Sequence, residues 1–308
     1  MDNQVIEGTA YNLGWDYAMY GLGLPEAIQA VSREGYELGT SNFRGKRKQS
    51  DRFVPKWLQL RTNAYRRGRL VNDDVTPKLI AEIDTETCPV TLLKLTHAEQ
   101  LGSDWSVDRL NNNGAYAIEN LAVISTKANT AKGNKTFEEV HELAKSYGPM
   151  EGLTPREWLR MACIMYGPSV VEDRTRDMLL PLATKIPNKT VHPEWFKLQY
   201  CIVLALKMKT AARSEQHKTL RALCQDPLMQ DALDKVFPRL EMLRREYSYP
   251  YDAMLDARVQ DNLQKWFLGI DRNARLLLKL YMKAAGAGKS FSQDELKRFS
   301  LRTRGYIT

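Results

Sequence analysis

Trp105-Ser106-Val107-Asp108-Arg109-Leu110-Asn111-Asn112-Asn113-Gly114-Ala115-Tyr116, then Glu119-Asn120-Leu121-Ala122-Val123-Ile124-Ser125, then Ala128-Asn129-Thr130-Ala131-Lys132-Gly133, is the stretch that decides how the chain is read. Residues 105–108 alternate large and small side chains, as a short strand does. Asn111 to Gly114 is dense in residues that tolerate positive φ and therefore turns the chain. Residues 120–124 form a second short apolar strand. Ser125 is placed to cap a short helix carrying Asn129 and Lys132. The order strand, turn, strand, helix predicts that Asp108 and Asn129 come together. Both offer hard oxygens, the donors that suit Mg²⁺ or Mn²⁺, and such an ion stabilises the leaving oxygen of a scissile phosphate.

Residues 86–135 resemble the HNH, or ββα-metal, nuclease family. The matching positions are Ser106, Asp108 and Arg109 in the first strand and Gly114 and Tyr116 in the turn. Asn120 and Leu121 open the second strand, and Asn129 and Lys132 lie in the helix. The resemblance implies a metal-dependent endonuclease acting on nucleic acid, DNA before RNA, with one Mg²⁺ or Mn²⁺ held by Asp108 and Asn129. It implies Asn120 as a structural residue that pins the inter-strand loop through its amide. Cys88-Pro89 echoes a cysteine common in the family. No two of Cys88, Cys163, Cys201 and Cys224 have C-x-x-C spacing, so no structural zinc is expected.

One position departs from the family. The residue after the strand aspartate is usually a histidine that acts as general base; here it is Arg109, which stays protonated. Three accounts follow. His97 supplies the base; or water attacks without a protein base; or the module has lost cleavage and keeps nucleic-acid binding. Arg109 itself is a candidate phosphate clamp.

Moving outward, residues 41–70 hold ten basic residues against Asp51, a net of +9, more than the whole chain's +8. Residues 1–40 hold six acids against Arg33, a net of −5. Phe43, Phe53, Trp57 and Tyr65 are interleaved with the basic run, and Trp57, Leu60, Arg61 and Ala64 have helical spacing. Arg44, Lys46, Arg47, Lys48, Arg61, Arg66, Arg67 and Arg69, with Lys127 and Lys132 from the module, are the expected phosphate contacts.

The remainder reads as helices. Thr136-Phe137-Glu138-Glu139 is a capping box, and Gly148 to Gly152 reads as a linker. Thr154-Pro155 and Pro193 open further helices. Leu233, Val236, Phe237, Leu240 and Leu243 form one apolar face, with two more stripes around Leu263–Phe267 and Leu276–Leu280. Gly286-Ala287-Gly288-Lys289-Ser290 is not a phosphate loop, because Lys283 stands where the pattern needs glycine. It reads as an interhelical turn with Ser290 or Ser292 as cap.

These observations predict a mainly α protein with a small ββα-metal module, α+β overall. The expected domains are 1–83, helical and basic; 84–148, the module; and 149–308, all-helical, with self-association through its helices as an option. No signal segment or spanning run is read, since the longest apolar run is Cys201 to Leu206. A soluble cytoplasmic protein is therefore expected, from a phage or mobile-element type of setting. The alternative function is an inactive nucleic-acid-binding scaffold.

Overall fold

The computed structural model describes residues 3–169, 178–187, 189–190, 192–285 and 304–307, with side chains from residue 8 onward. The glycine-rich segment from Gly286, with its two candidate capping serines, lies outside them. Among the described residues the fold is mainly helical, with one two-stranded antiparallel sheet. No described helix is long and apolar enough to cross a membrane.

The chain divides into two compact units, and the boundaries differ from those expected. The first unit joins residues up to 88, residues 94–129 and the described C-terminal residues 304–307. The second takes 89–93 and 130–285. The two strands fall in the same compact unit as the N-terminal helices. The proposed linker at Gly148 to Gly152 is a local turn inside the second unit, closed by mutual hydrogen bonds between Met150 and Leu153.

In the first unit, α1 (Asn3–Met19) and α2 (Gln29–Asn42) pack backbone to backbone. A methyl group on Gly14 would lie 2.0 Å from the Ser32 carbonyl oxygen, and one on Gly35 would lie 2.0 Å from that of Tyr11. Only glycine permits this approach. α3 (Phe53–Arg66) adds Val54 and Leu58 to a core of Leu13, Tyr17 and Ile28. α4 (Pro77–Ile83) starts from Thr76, whose hydroxyl accepts from Leu79 N, with Pro77 in the first turn. β1 (Trp105–Arg109) and β2 (Leu121–Ser125) follow, and α5 (Thr126–Lys132) leads out of the unit. The C-terminal segment returns here: Leu70 N donates to Gly305 O, Ile307 N donates to Gly68 O, and Gly305 sits against the Gly114–Ala115 backbone.

The second unit begins with α6 (Phe137–Leu143), whose Thr136–Glu139 capping box is present, and α7 (Pro155–Ser169), which Thr154 and Glu157 cap in the same way. α7 is buried on nearly every side. α8 (Glu194–Leu206), α9 (Thr210–Ala222), α10 (Pro227–Glu246), α11 (Ala257–Gly269) and α12 (Arg272–Ala284) complete the unit around Trp158, Tyr166, Trp195, Phe196 and Trp266. Leu233, Val236, Leu240 and Leu243 are buried as their spacing predicts. The last stripe is shifted: α12 buries Ala274, Leu278 and Met282 and leaves Leu276, Leu277 and Leu280 more than half exposed.

Candidate active site

β1 and β2 pair with Asp108 opposite Ala122 and Trp105 opposite Ser125. Alternation along β1 sets Ser106 and Asp108 on one face and Trp105, Val107 and Arg109 on the other. Ser125 caps α5 as expected, its hydroxyl accepting from Ala128 N at 3.2 Å. The helix then lays Asn129 across the first face, where Asn129 Nδ2 donates to Ser106 Oγ at 2.7 Å. Asp108 Oδ2 is shut off from solvent. The bond to Ser106 occupies the amide nitrogen of Asn129, so its amide oxygen is the atom with ligand character. A carboxylate and an amide oxygen on one face are a hard donor pair, the type that fits Mg²⁺ or Mn²⁺. Among the described residues no three His, Cys, Asp or Glu side chains converge as a metal site, so an ion here would depend on Asn129 and water besides Asp108.

The eleven residues between the strands are held by Asn120, which is fully buried. Its Oδ1 accepts from Asn111 N at 2.7 Å, and its Nδ2 donates to Asn111 O at 2.9 Å and to Ala115 O at 3.0 Å. All three amide functions that can bond backbone do so.

Arg109 works on the same loop from the other strand. It is buried, and Nη1 donates to the carbonyls of Asn112 and Gly114, both at 3.0 Å. Its guanidinium lies 4.8 Å from the centroid of the Tyr116 ring. An arginine committed to loop carbonyls on the face opposite Asp108 does not clamp a phosphate, which corrects that expectation. The candidate base His97 is not brought to Asp108 either. It meets Trp105 edge-on at 5.1 Å, with Nε2 3.3 Å from Arg52 Nη1, and Arg52 in turn pairs with Asp84 at 2.6 Å.

The expected phosphate contacts divide. Arg44, Lys46, Arg47, Lys48, Arg66, Arg67 and Lys127 are exposed. Arg61 is not available: it pairs with Asp16 and lies 4.5 Å over Trp57. Arg69 donates to Arg304 O at 3.0 Å and to the Tyr306 hydroxyl, and stacks 3.4 Å over that ring. Burial lowers its pKa, and the neighbouring positive charge of Arg109 adds to the effect. Lys132 is fully buried, not on the surface as expected. The interleaved aromatics also face inward: Phe43 packs on Trp15, Phe53 on Trp105, and Trp57 Nε1 donates to Val75 O at 2.6 Å.

Reasoning from sequence missed Asp104, which organises the loop before β1. Its carboxylate accepts from Thr96 Oγ1 at 2.6 Å and from the amides of Glu99, Gln100 and Leu101. Those bonds, the Thr96 hydroxyl foremost, hold it below the usual carboxylate range. It missed Lys56 as well, whose Nζ donates to Trp105 O at 3.1 Å and sits 5.1 Å from the indole centroid. Burial lowers the Lys56 pKa from the ordinary lysine value. Cys88 proves to be a packing residue, its Sγ accepting from Ser125 N at 3.2 Å; all four cysteines are buried thiols outside any disulfide. Compared with protein-family models, curated proteins and solved structures, the chain matches none.

Proposed function

We propose that the chain is a metal-dependent endonuclease of the HNH type, cutting nucleic-acid phosphodiesters with DNA as the first substrate. The observation that carries this reading is the juxtaposition of Asp108 and Asn129 on one face of a strand–loop–strand–helix unit, locked by the Asn129–Ser106 hydrogen bond. Asp108 would hold one Mg²⁺ or Mn²⁺ with the Asn129 oxygen. When bound, that ion supplies charge stabilisation at the scissile phosphate and lowers the pKa of water. Ser106 orients the Asn129 amide. Asn120 and Arg109 keep the inter-strand loop in the shape that fixes the end of β1. Arg66 and Arg67 are exposed cations that can reach the nucleic-acid backbone. The exposed run from Arg44 to Lys48 adds further positive charge.

A second reading is favoured by a specific observation: neither Arg109 nor His97 is placed to take a proton beside Asp108. On that reading the same unit docks nucleic acid without cutting it. Incubation of supercoiled plasmid with the wild type and with Asp108→Ala, in Mg²⁺, Mn²⁺ or EDTA, separates the two. Cleavage by the wild type alone, abolished by EDTA, is the result expected. Intact plasmid and intact RNA with every divalent ion would leave only the docking reading.

A further inference from the structure

α3 carries a polar row that the core does not use. Arg52 at its N-terminal flank, then Lys56, Gln59, Asn63 and Arg66, recur at steps of four and three, one face of a helix. All five line one open cleft of about 740 Å³, whose remaining wall includes His97, Trp105 and Thr126. Every lining residue belongs to the first unit.

The charge of this cleft is uneven. Arg52 is paired with Asp84. The one carboxylate in the lining, Asp104, is turned to Thr96 and three backbone amides. Among the described residues neither Lys56 nor Arg66 has a carboxylate within ion-pair distance, and Asp104 attracts Lys56 only from farther off. Lys56 is half-buried there, and the loss of water that lowers its pKa makes an arriving anion worth more to it than to a surface lysine. Lys56 and Arg66 are ten residues apart, about 15 Å along the helix, far enough to meet separate phosphates of one strand.

We propose that this cleft binds the sugar-phosphate backbone of a single nucleic-acid strand, with Lys56 and Arg66 on phosphates and Gln59 and Asn63 donating between them. The inference deepens the nuclease reading and rests on it for the identity of the polyanion. The cleft meets β1 at Trp105, about 10 Å along the strand from Asp108 and on the other face of that strand, so a strand held there lies in the same unit as the Asp108–Asn129 pair. Trp105 is almost fully buried, so the grip is electrostatic and indifferent to base sequence.

The test is binding in EDTA, which needs no metal and no cleavage. Fluorescence anisotropy of the full chain is measured with a labelled single strand of about twelve nucleotides, with the matching duplex, and with polyglutamate as competitor. The single strand is expected to bind more tightly than the duplex and to resist polyglutamate. Lys56→Gln with Arg66→Gln should weaken it at least about tenfold and reduce the slope of log K against log salt by about 1.4, the loss of two contacts. Arg66→Gln alone, at an exposed position, should remove about half of that slope, and Lys56→Arg should retain binding. A double variant that keeps its thermal melting and binds like the wild type would overturn the cleft, as would equal binding of duplex or full competition by polyglutamate. The two failures differ: cleavage with unaltered binding in the double variant sinks the cleft alone. A strand held through Lys56 and Arg66 but never cut sinks the nuclease alone.

Discussion

Two irregular loops flank β1, and each is tied by one side chain that gathers backbone groups. The loop after β1 is tied by Asn120, neutral and fully buried, through three hydrogen bonds. The loop before β1 is tied by Asp104, charged and only half-buried, through the Thr96 hydroxyl and three amides. The chemistry matches the location. An amide both donates and accepts, so it can satisfy carbonyls and an amide N–H in a dry interior, where a carboxylate could serve donors only. A carboxylate is the stronger acceptor and belongs where water still softens its charge. The loop after β1 shapes the Asp108–Asn129 face; the loop before it lines the basic cleft.

The largest effect is expected from Asn120→Ala. It strands buried backbone groups of Asn111 and Ala115, each at a cost of about 1–3 kcal/mol. The variant should lose several kcal/mol and, with it, the Asp108–Asn129 face. Thermal unfolding together with plasmid cleavage reads both. An unaltered melting temperature would mean the loop holds itself without the amide.

Next comes Arg109→His. Restoring a histidine where the family usually has one would be expected to raise cleavage if position 109 faced the metal. The structure sets Arg109 on the opposite face, bonded to Asn112 O and Gly114 O. A histidine is too short to replace both bonds, so a loss of about 2 kcal/mol is expected, with no gain in Mg²⁺-dependent cleavage. A rise in cleavage would show that the end of β1 turns over when metal binds.

Gly35→Ala is a control outside both loops. Its methyl group would meet the Tyr11 carbonyl, and forced separation of α1 from α2 should cost about 1–3 kcal/mol. Denaturant unfolding measures it. Nucleic-acid binding measured under conditions where the variant is folded should be unchanged, because neither loop touches that contact.

How far these features were legible in the sequence follows from what each depends on. The strand pair, the Ser125 cap and the role of Asn120 are local: turn-forming residues, alternation and a short apolar run lie within about twenty residues. α4 was equally open to view, since Thr76-Pro77 is a cap with a first-turn proline. The long α1 hid its glycines, because their use depends on the partner helix. Arg109, Arg69 and Lys132 were misassigned for one reason. A basic residue in a basic chain reads as surface until its partners are known, and theirs are loop carbonyls, a C-terminal tyrosine far away in sequence, and a buried environment. Lys56 was passed over among denser arginines. Asp104 gave no signal, since a carboxylate bound to amides three to five residues back looks like any other aspartate.

The smallest effect distinguishes the two loops by pH. The Asp104 carboxyl is depressed in the folded state, so its contribution is fully present above the ordinary carboxylate value near 4 and is lost as pH falls through the depressed folded value. Asn120 has nothing to titrate. Acidification below about pH 4 should therefore loosen residues 96–104 before residues 110–120, as read by amide exchange or by the environment of Trp105. Asp104→Asn removes the charge but keeps an acceptor oxygen. It should lower stability slightly at neutral pH and abolish that acid-sensitive step, leaving exchange in the 110–120 loop unchanged. If both loops open together in the wild type, or the step survives in Asp104→Asn, the carboxylate is not what holds the loop before β1, and the contrast between a charged and a neutral tie fails.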